Sequence, residues 1–270
     1  LLVANPFLVQ NVESGVVLIV FFTVLYKRNV LNIHYSDLQP LFIAFYFIIF
    51  ELVHRILFDL DNTNTIIRVS FYFITSIIVV KITGKKFLDY YINILCLLSL
   101  ISILFYVLGI LAPSLYSGLS QFASRLFPLR SDFNDYFTPT LLFYTFDPAY
   151  VEGSSTMLRN PGYTWEAGGF ATYANIAVLF RLIRNNPMSV LQFLKDRIAV
   201  IIIIAIILTF STAGYLTFFF ILSFFFFKKL NFKSVFYLGI IALTVFILYS
   251  RLDFLGDKIA DQISKAQYSQ

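Results

Sequence analysis

The stretch Arg159-Asn-Pro-Gly-Tyr-Thr-Trp-Glu166 sets a guanidinium and a carboxylate seven residues apart around a Pro-Gly turn. An arginine fork is suited to grip a phosphate-bearing group through two parallel hydrogen bonds. A carboxylate beside it is suited to take the proton of an attacking hydroxyl. The same two residues also suit a plain structural ion pair, and spacing alone leaves both readings open. Directly after Glu166, Ala167-Gly-Gly-Phe-Ala171 opens an apolar run. The carboxylate therefore stands at a helix N-terminus, where the helix dipole favours negative charge in any case. Gly162, Gly168 and Gly169 read as backbone devices.

Lipid must be the solvent of the elements that position these residues. The 270 residues are 59% hydrophobic, 19% aromatic and 13% charged, with a mean hydropathy of +0.81. Soluble domains hold about 45–50% apolar and about 25% charged residues. A water-soluble enzyme, a nucleic-acid-binding module and a disordered chain are excluded, and no nucleic-acid partner is expected. Cys96 is the single cysteine, which excludes a disulfide framework. With only His34 and His54 beside it, a nitrogen- or sulfur-ligated metal site is not expected; nor is a cofactor.

Long non-alternating runs such as Ile201-Ile-Ile-Ile204 exclude barrel strands and predict an all-α, polytopic transmembrane helical bundle, read as a single membrane domain over 1–270. Eight spans are read, at 16–26, 38–57, 65–80, 87–112, 168–182, 198–212, 213–227 and 234–250. The connections alternate in charge. Lys27, Arg28, Lys81, Lys85, Lys86, Arg181, Arg184, Lys195, Arg197, Lys228, Lys229 and Lys233 fall on one side with only Asp37, Asp89 and Asp196. By the positive-inside rule that side is cytoplasmic, so the net charge of +5 is a topology signal. The run 198–227 is read as a hairpin turning at Ser211-Thr-Ala-Gly214, with arms of about 22 Å against a hydrocarbon core of about 30 Å. Its turn would be recessed below the surface, and Ser211 and Thr212 are read as hairpin caps.

Residues 113–166 form a long extracytoplasmic loop carrying Arg125, Arg130 and Arg159. Its aromatics, among them Tyr116, Phe122, Tyr144, Phe146, Tyr163 and Trp165, suit an interfacial belt, a cap over a membrane cavity, or a stack against sugar rings. Glu51 and His54 share a face near the outer end of one span, within reach of headgroups. The tail 251–270 places Leu252, Leu255, Ile259 and Ile263 on one helical face, an extracytoplasmic amphipathic segment. A start at Leu1-Leu2 and an end in a polar tail lead us to expect truncation at both ends.

The pattern Arg159-x-x-Gly162-x-x-Trp165-Glu166-x-Gly168-x-Phe170-Ala171 resembles the signature of the O-antigen polymerase and O-antigen ligase-like superfamily. Leu208-Thr-Phe-Ser-Thr-Ala-Gly-Tyr215 is similar to that family's second recurring segment. Ala167 departs from the pattern, where proline is common. Members usually carry more spans and a further outer loop with another arginine, so the resemblance implies a fragment of a longer chain. It implies a multi-pass glycosyltransferase of the bacterial cytoplasmic membrane with its active site facing outward. The donor would be a polyprenyl-diphosphate-linked oligosaccharide. Arg159 and Glu166 would be catalytic, with Arg125, Arg130, Gly162, Tyr163 and Trp165 binding substrate. Polymerisation of lipid-linked repeat units is the function expected, with a chain-length regulator as a possible partner. A ligase transferring glycan to a lipid A–core acceptor is the alternative, and a lipid-linked oligosaccharide flippase the more distant one. Ligases typically place a histidine in the outer loop; 113–166 has none.

Overall fold

The computed structural model describes residues 79–127, 140–146, 159–164 and 166–227, with single positions in 42–53, at 76–77 and at 239. Most of the spans expected at 16–26, 38–57, 65–80 and 234–250, and the tail 251–270, lie outside the described residues. The chain divides into two units, Asn11–Phe87 and Leu1–Gln10 with Leu88–Gln270. In the first, the described residues close on a 3-10 turn, Gly84–Lys86. The second holds almost everything else described. It is helical, with no strand among the described residues beyond one isolated bridge, Thr140 to Thr145.

Helix α1 (Phe87–Leu111) starts beside Lys85 and Lys86 and ends where Pro113 forces Ala112 out of helical geometry, at φ −138° and ψ 68°. Its buried side is Ile92, Leu95, Leu98, Ser99, Ser102 and Tyr106. Tyr90, Ile94, Leu97, Leu104 and Leu111 are exposed along the opposite side. The run Val79–Leu111 is the one helix among the described residues long and apolar enough to cross a membrane.

Proline 113 then occupies the first turn of α2 (Pro113–Leu126), where its missing N–H costs nothing. This helix stands where the sequence predicts only loop. Tyr144 and Phe146 bind α2 to α1. The Tyr144 ring stacks on Phe105 at 5.0 Å, and the Phe146 ring meets Tyr116 edge-on at 4.7 Å. Both rings are buried with Ala123, so these two aromatics are a core and neither a belt nor a sugar platform.

Helix α3 (Ala167–Asn185) is the centre of the unit, and it ends on Asn186 in the left-handed conformation. The short α4 (Val190–Leu194) is capped by Ser189, whose Oγ accepts from the Gln192 N–H at 3.2 Å. Asp196 caps α5 (Arg197–Leu208) and also accepts from Arg181 Nε and Nη2, at 2.6 and 3.0 Å. That fork ties the start of α5 to the last turns of α3, so α5 returns antiparallel along α3. Helix α6 (Thr212–Phe227) then packs along the other side of α3. The shared core is Leu95 and Leu98 of α1, Phe170, Ala174 and Val178 of α3, Ile202 and Ile206 of α5, and Phe218, Leu222 and Phe226 of α6.

The run 198–227 is thus two helices, as expected, but the turn falls earlier than predicted. It is Thr209-Phe210-Ser211, with Phe210 carrying the positive φ of 47°. Gly214 lies inside the first turn of α6. Its absent side chain serves a close approach: a Cβ there would stand 2.5 Å from the Ala171 Cβ. At about 18 and 24 Å, α5 and α6 are shorter than a bilayer core.

Candidate functional site

The α5–α6 turn is built by its own hydroxyls. Thr209 Oγ1 donates to the Ile206 carbonyl at 2.6 Å and accepts from the Ser211 N–H at 3.3 Å. Ser211 Oγ accepts from the Gly214 N–H at 3.2 Å, capping α6. Tyr215 of α6 reaches back to donate to the Ile207 carbonyl. Ser211 is therefore a cap, as its neighbours predict.

Arg159 and Asn160 lie against this turn. The Asn160 N–H donates to the Leu208 carbonyl at 3.0 Å, and Arg159 Nε donates to the Thr209 carbonyl at 3.3 Å. Asn160 is fully buried and acts in three directions. Besides the Leu208 contact, its Nδ2 donates to Ser102 Oγ of α1 at 3.2 Å, and its Oδ1 accepts from the Gly162 N–H at 3.1 Å. The next turn closes from the Pro161 carbonyl to the Thr164 N–H at 3.1 Å. Gly162 holds φ +59° there, and a Cβ on it would enter the Phe170 ring at 2.6 Å. Only glycine fits on both counts. The Gly162 carbonyl accepts from the Thr145 N–H at 2.6 Å, which joins the α2 cluster to the same turn.

The candidate residues separate by environment. Arg159 is half-buried beside the α5–α6 turn. Glu166 is exposed and is the N-cap residue of α3, yet its carboxylate makes no capping bond. No ion pair joins it to Arg159; those between described residues are Arg181–Asp196 and Arg184–Asp89. Tyr163 is 3% exposed, with its ring edge-on to Phe170 at 5.8 Å. Burial pushes its hydroxyl well above the usual tyrosine range. It packs the turn against α3 and offers no face to a ligand. Gly162 is likewise buried. Arg125 is exposed on the last turn of α2. Arg130 and Trp165 lie outside the described residues.

Asn160, Ser102 and Thr209 are the positioning residues that motif reading passes over. The signal available for Ser102, and for its neighbour Ser99, is a hydroxyl inside an otherwise apolar span. Among the described residues no cluster of three or more His, Cys, Asp or Glu side chains could hold a metal ion. No family model matches this chain, and neither curated proteins nor solved structures give a match.

Proposed function

We propose that this chain belongs to a membrane glycosyltransferase that polymerises polyprenyl-diphosphate-linked oligosaccharides on the outer face of the bacterial cytoplasmic membrane. The observation that carries the reading is the meeting of its two motif segments, 159–166 and 208–215, at the Arg159–Thr209 contact. Two stretches far apart in sequence converge where helices too short to span a bilayer turn back. Irregular backbone at such depth is tolerated where protein or a wet cavity surrounds it.

In this reading the acceptor hydroxyl oxygen attacks the anomeric carbon of the donor sugar, and the bond from that carbon to the diphosphate oxygen breaks. Polyprenyl diphosphate leaves with the electron pair, stabilised by the Arg159 guanidinium. The hydroxyl proton passes to Glu166, whose exposed carboxylate no described neighbour engages. Arg125 supplies positive charge toward the same donor.

The test is a deletion strain complemented with the full-length gene. Arg159→Lys keeps charge but loses the planar fork, and Glu166→Gln keeps size but cannot take a proton. Each should replace a polysaccharide ladder by single repeat units at normal protein level. A normal ladder in both would overturn the proposal. Repeat units that polymerise but fail to reach the lipid A–core would assign a ligase instead.

A further inference from the structure

We infer that α2 is an interfacial membrane helix, lying along the bilayer boundary at which α1 ends, with Leu115, Phe122 and Leu126 set into the lipid. Those three residues are 53%, 53% and 52% exposed. At 3.6 residues per turn, positions separated by seven and eleven fall on one stripe. A second stripe, Ser117, Gln121 and Arg125, is exposed and polar. The third side carries Tyr116, Leu119 and Ala123, which pack on the cluster of Tyr144, Phe146 and Phe105. One helix thus presents separate sides to protein, to something apolar and to water.

Lipid is the occupant that the surroundings select. Only Ala112 separates α2 from α1, so α2 starts at the level where the long apolar helix stops. The apolar residues Leu104, Val107 and Leu111 stay exposed along α1 up to that junction, so lipid that covers them reaches the level at which α2 starts. The polar stripe flanking it suits headgroups, and Arg125 in the last turn suits anionic ones. A helix with an apolar stripe beside a polar side suits the interfacial plane. The inference rests on α1 spanning a bilayer and not on the proposed chemistry.

The test uses the full chain in vesicles of phosphatidylcholine and phosphatidylglycerol, with the single native tryptophan removed as Trp165→Phe. A tryptophan is then placed at Phe122→Trp, Leu126→Trp, Gln121→Trp or, as a control on α1, Leu104→Trp. Lipids brominated near the carbonyl end of the acyl chain should quench positions 122 and 126 severalfold more than 121, and aqueous iodide should show the reverse order. Quenching of 122 and 126 by iodide alone puts α2 in water and overturns the inference. Quenching by neither means protein covers the stripe, which overturns it too. If brominated lipid reaches 104 but not 122 or 126, α1 spans and only the α2 assignment fails. If it reaches none of them, the spanning assignment of α1 fails as well.

Discussion

Arg159 Nε donates to the main-chain carbonyl of Thr209 at 3.3 Å, across fifty residues of sequence. The acceptor sits in a turn whose geometry is fixed by its own hydroxyls, so the guanidinium is tethered to a rigid part of the core. That bond holds Arg159 against the α5–α6 turn before any ligand arrives. On the proposed chemistry, such prior positioning is what an anion clamp requires.

Asn160 secures that tether, and its loss should cost more than the loss of any one partner. Asn160→Ala removes both side-chain bonds of a fully buried residue. The Gly162 N–H is left unsatisfied, at about 1–3 kcal/mol, and the Ser102 hydroxyl keeps only its bond to the Ser99 carbonyl at 2.8 Å. Ser102→Ala removes the bonds to the Ser99 carbonyl and from Asn160 Nδ2, but it is a smaller truncation and leaves the Asn160–Gly162 turn bond in place. Melting in detergent, followed by size-exclusion fluorescence, should place Asn160→Ala several degrees below Ser102→Ala, with polysaccharide extension reduced in the same order. Equal melting temperatures would show that Asn160 is not the junction.

Gly214 is argued from distance. Alanine is better than glycine in a helix interior by about 1 kcal/mol, so Gly214→Ala in an uncrowded helix should stabilise. Here the new Cβ would meet the Ala171 Cβ at 2.5 Å, and α3 and α6 must part. Parting also strains the bond from Asn175 Nδ2 to the Gly214 carbonyl at 2.9 Å. Gly214→Ala should lower the melting temperature, and adding Ala171→Gly should restore part of the loss. A more stable single variant would sink the close-packing account.

The helices most legible in the sequence are those whose ends carry chemical punctuation. The run read over 87–112 is Phe87–Leu111, bounded by lysines and a proline. The run read over 168–182 is Ala167–Asn185, extended because Asn186 supplies the left-handed stop. The boundary between α5 and α6 lies earlier than the glycine suggests, because Phe210 and not Gly214 adopts the positive φ. Helix α2 was hidden by its serines, glycine and glutamine, although Pro113 marks its start and its apolar residues repeat at helical spacing. Arg159 and Glu166 stand out by type, while the burial of Tyr163 and the threefold role of Asn160 depend on contacts that no local pattern encodes.

Asp196 should make the far end of the α3–α5 pair sensitive to acid. Desolvation pushes its carboxyl pKa up, but the Arg181 hydrogen bond and charge, with the Ile198 and Ala199 N–H groups, outweigh it. The net effect holds the group below its ordinary value of 3.8. A carboxylate with a depressed folded pKa contributes stability that is present above the unfolded value and lost as pH falls through the folded one. The melting-temperature gap between wild type and Asp196→Asn should be full at neutral pH and narrow once pH drops below 3.8. A gap that stays constant into strong acid would mean the ion pair contributes nothing.

Glu166 is an unusual choice for the place it occupies, and that separates a chemical role from a structural one. The position before a helix favours Ser, Thr, Asp or Asn, whose short side chains reach the first free N–H groups, worth about 0.5–2 kcal/mol over alanine. Glu166 makes no such bond and forms no ion pair with Arg159. Glu166→Ser should therefore cap α3 better than the native residue and raise the melting temperature by a few degrees. On the proposed function it should also abolish chain extension, because no carboxylate would remain there to take the acceptor proton. If Glu166 were a structural partner of Arg159 instead, the serine variant would be less stable, and exchanging the two charges would recover the loss. A serine variant that is both more stable and fully active would remove this carboxylate from the reaction.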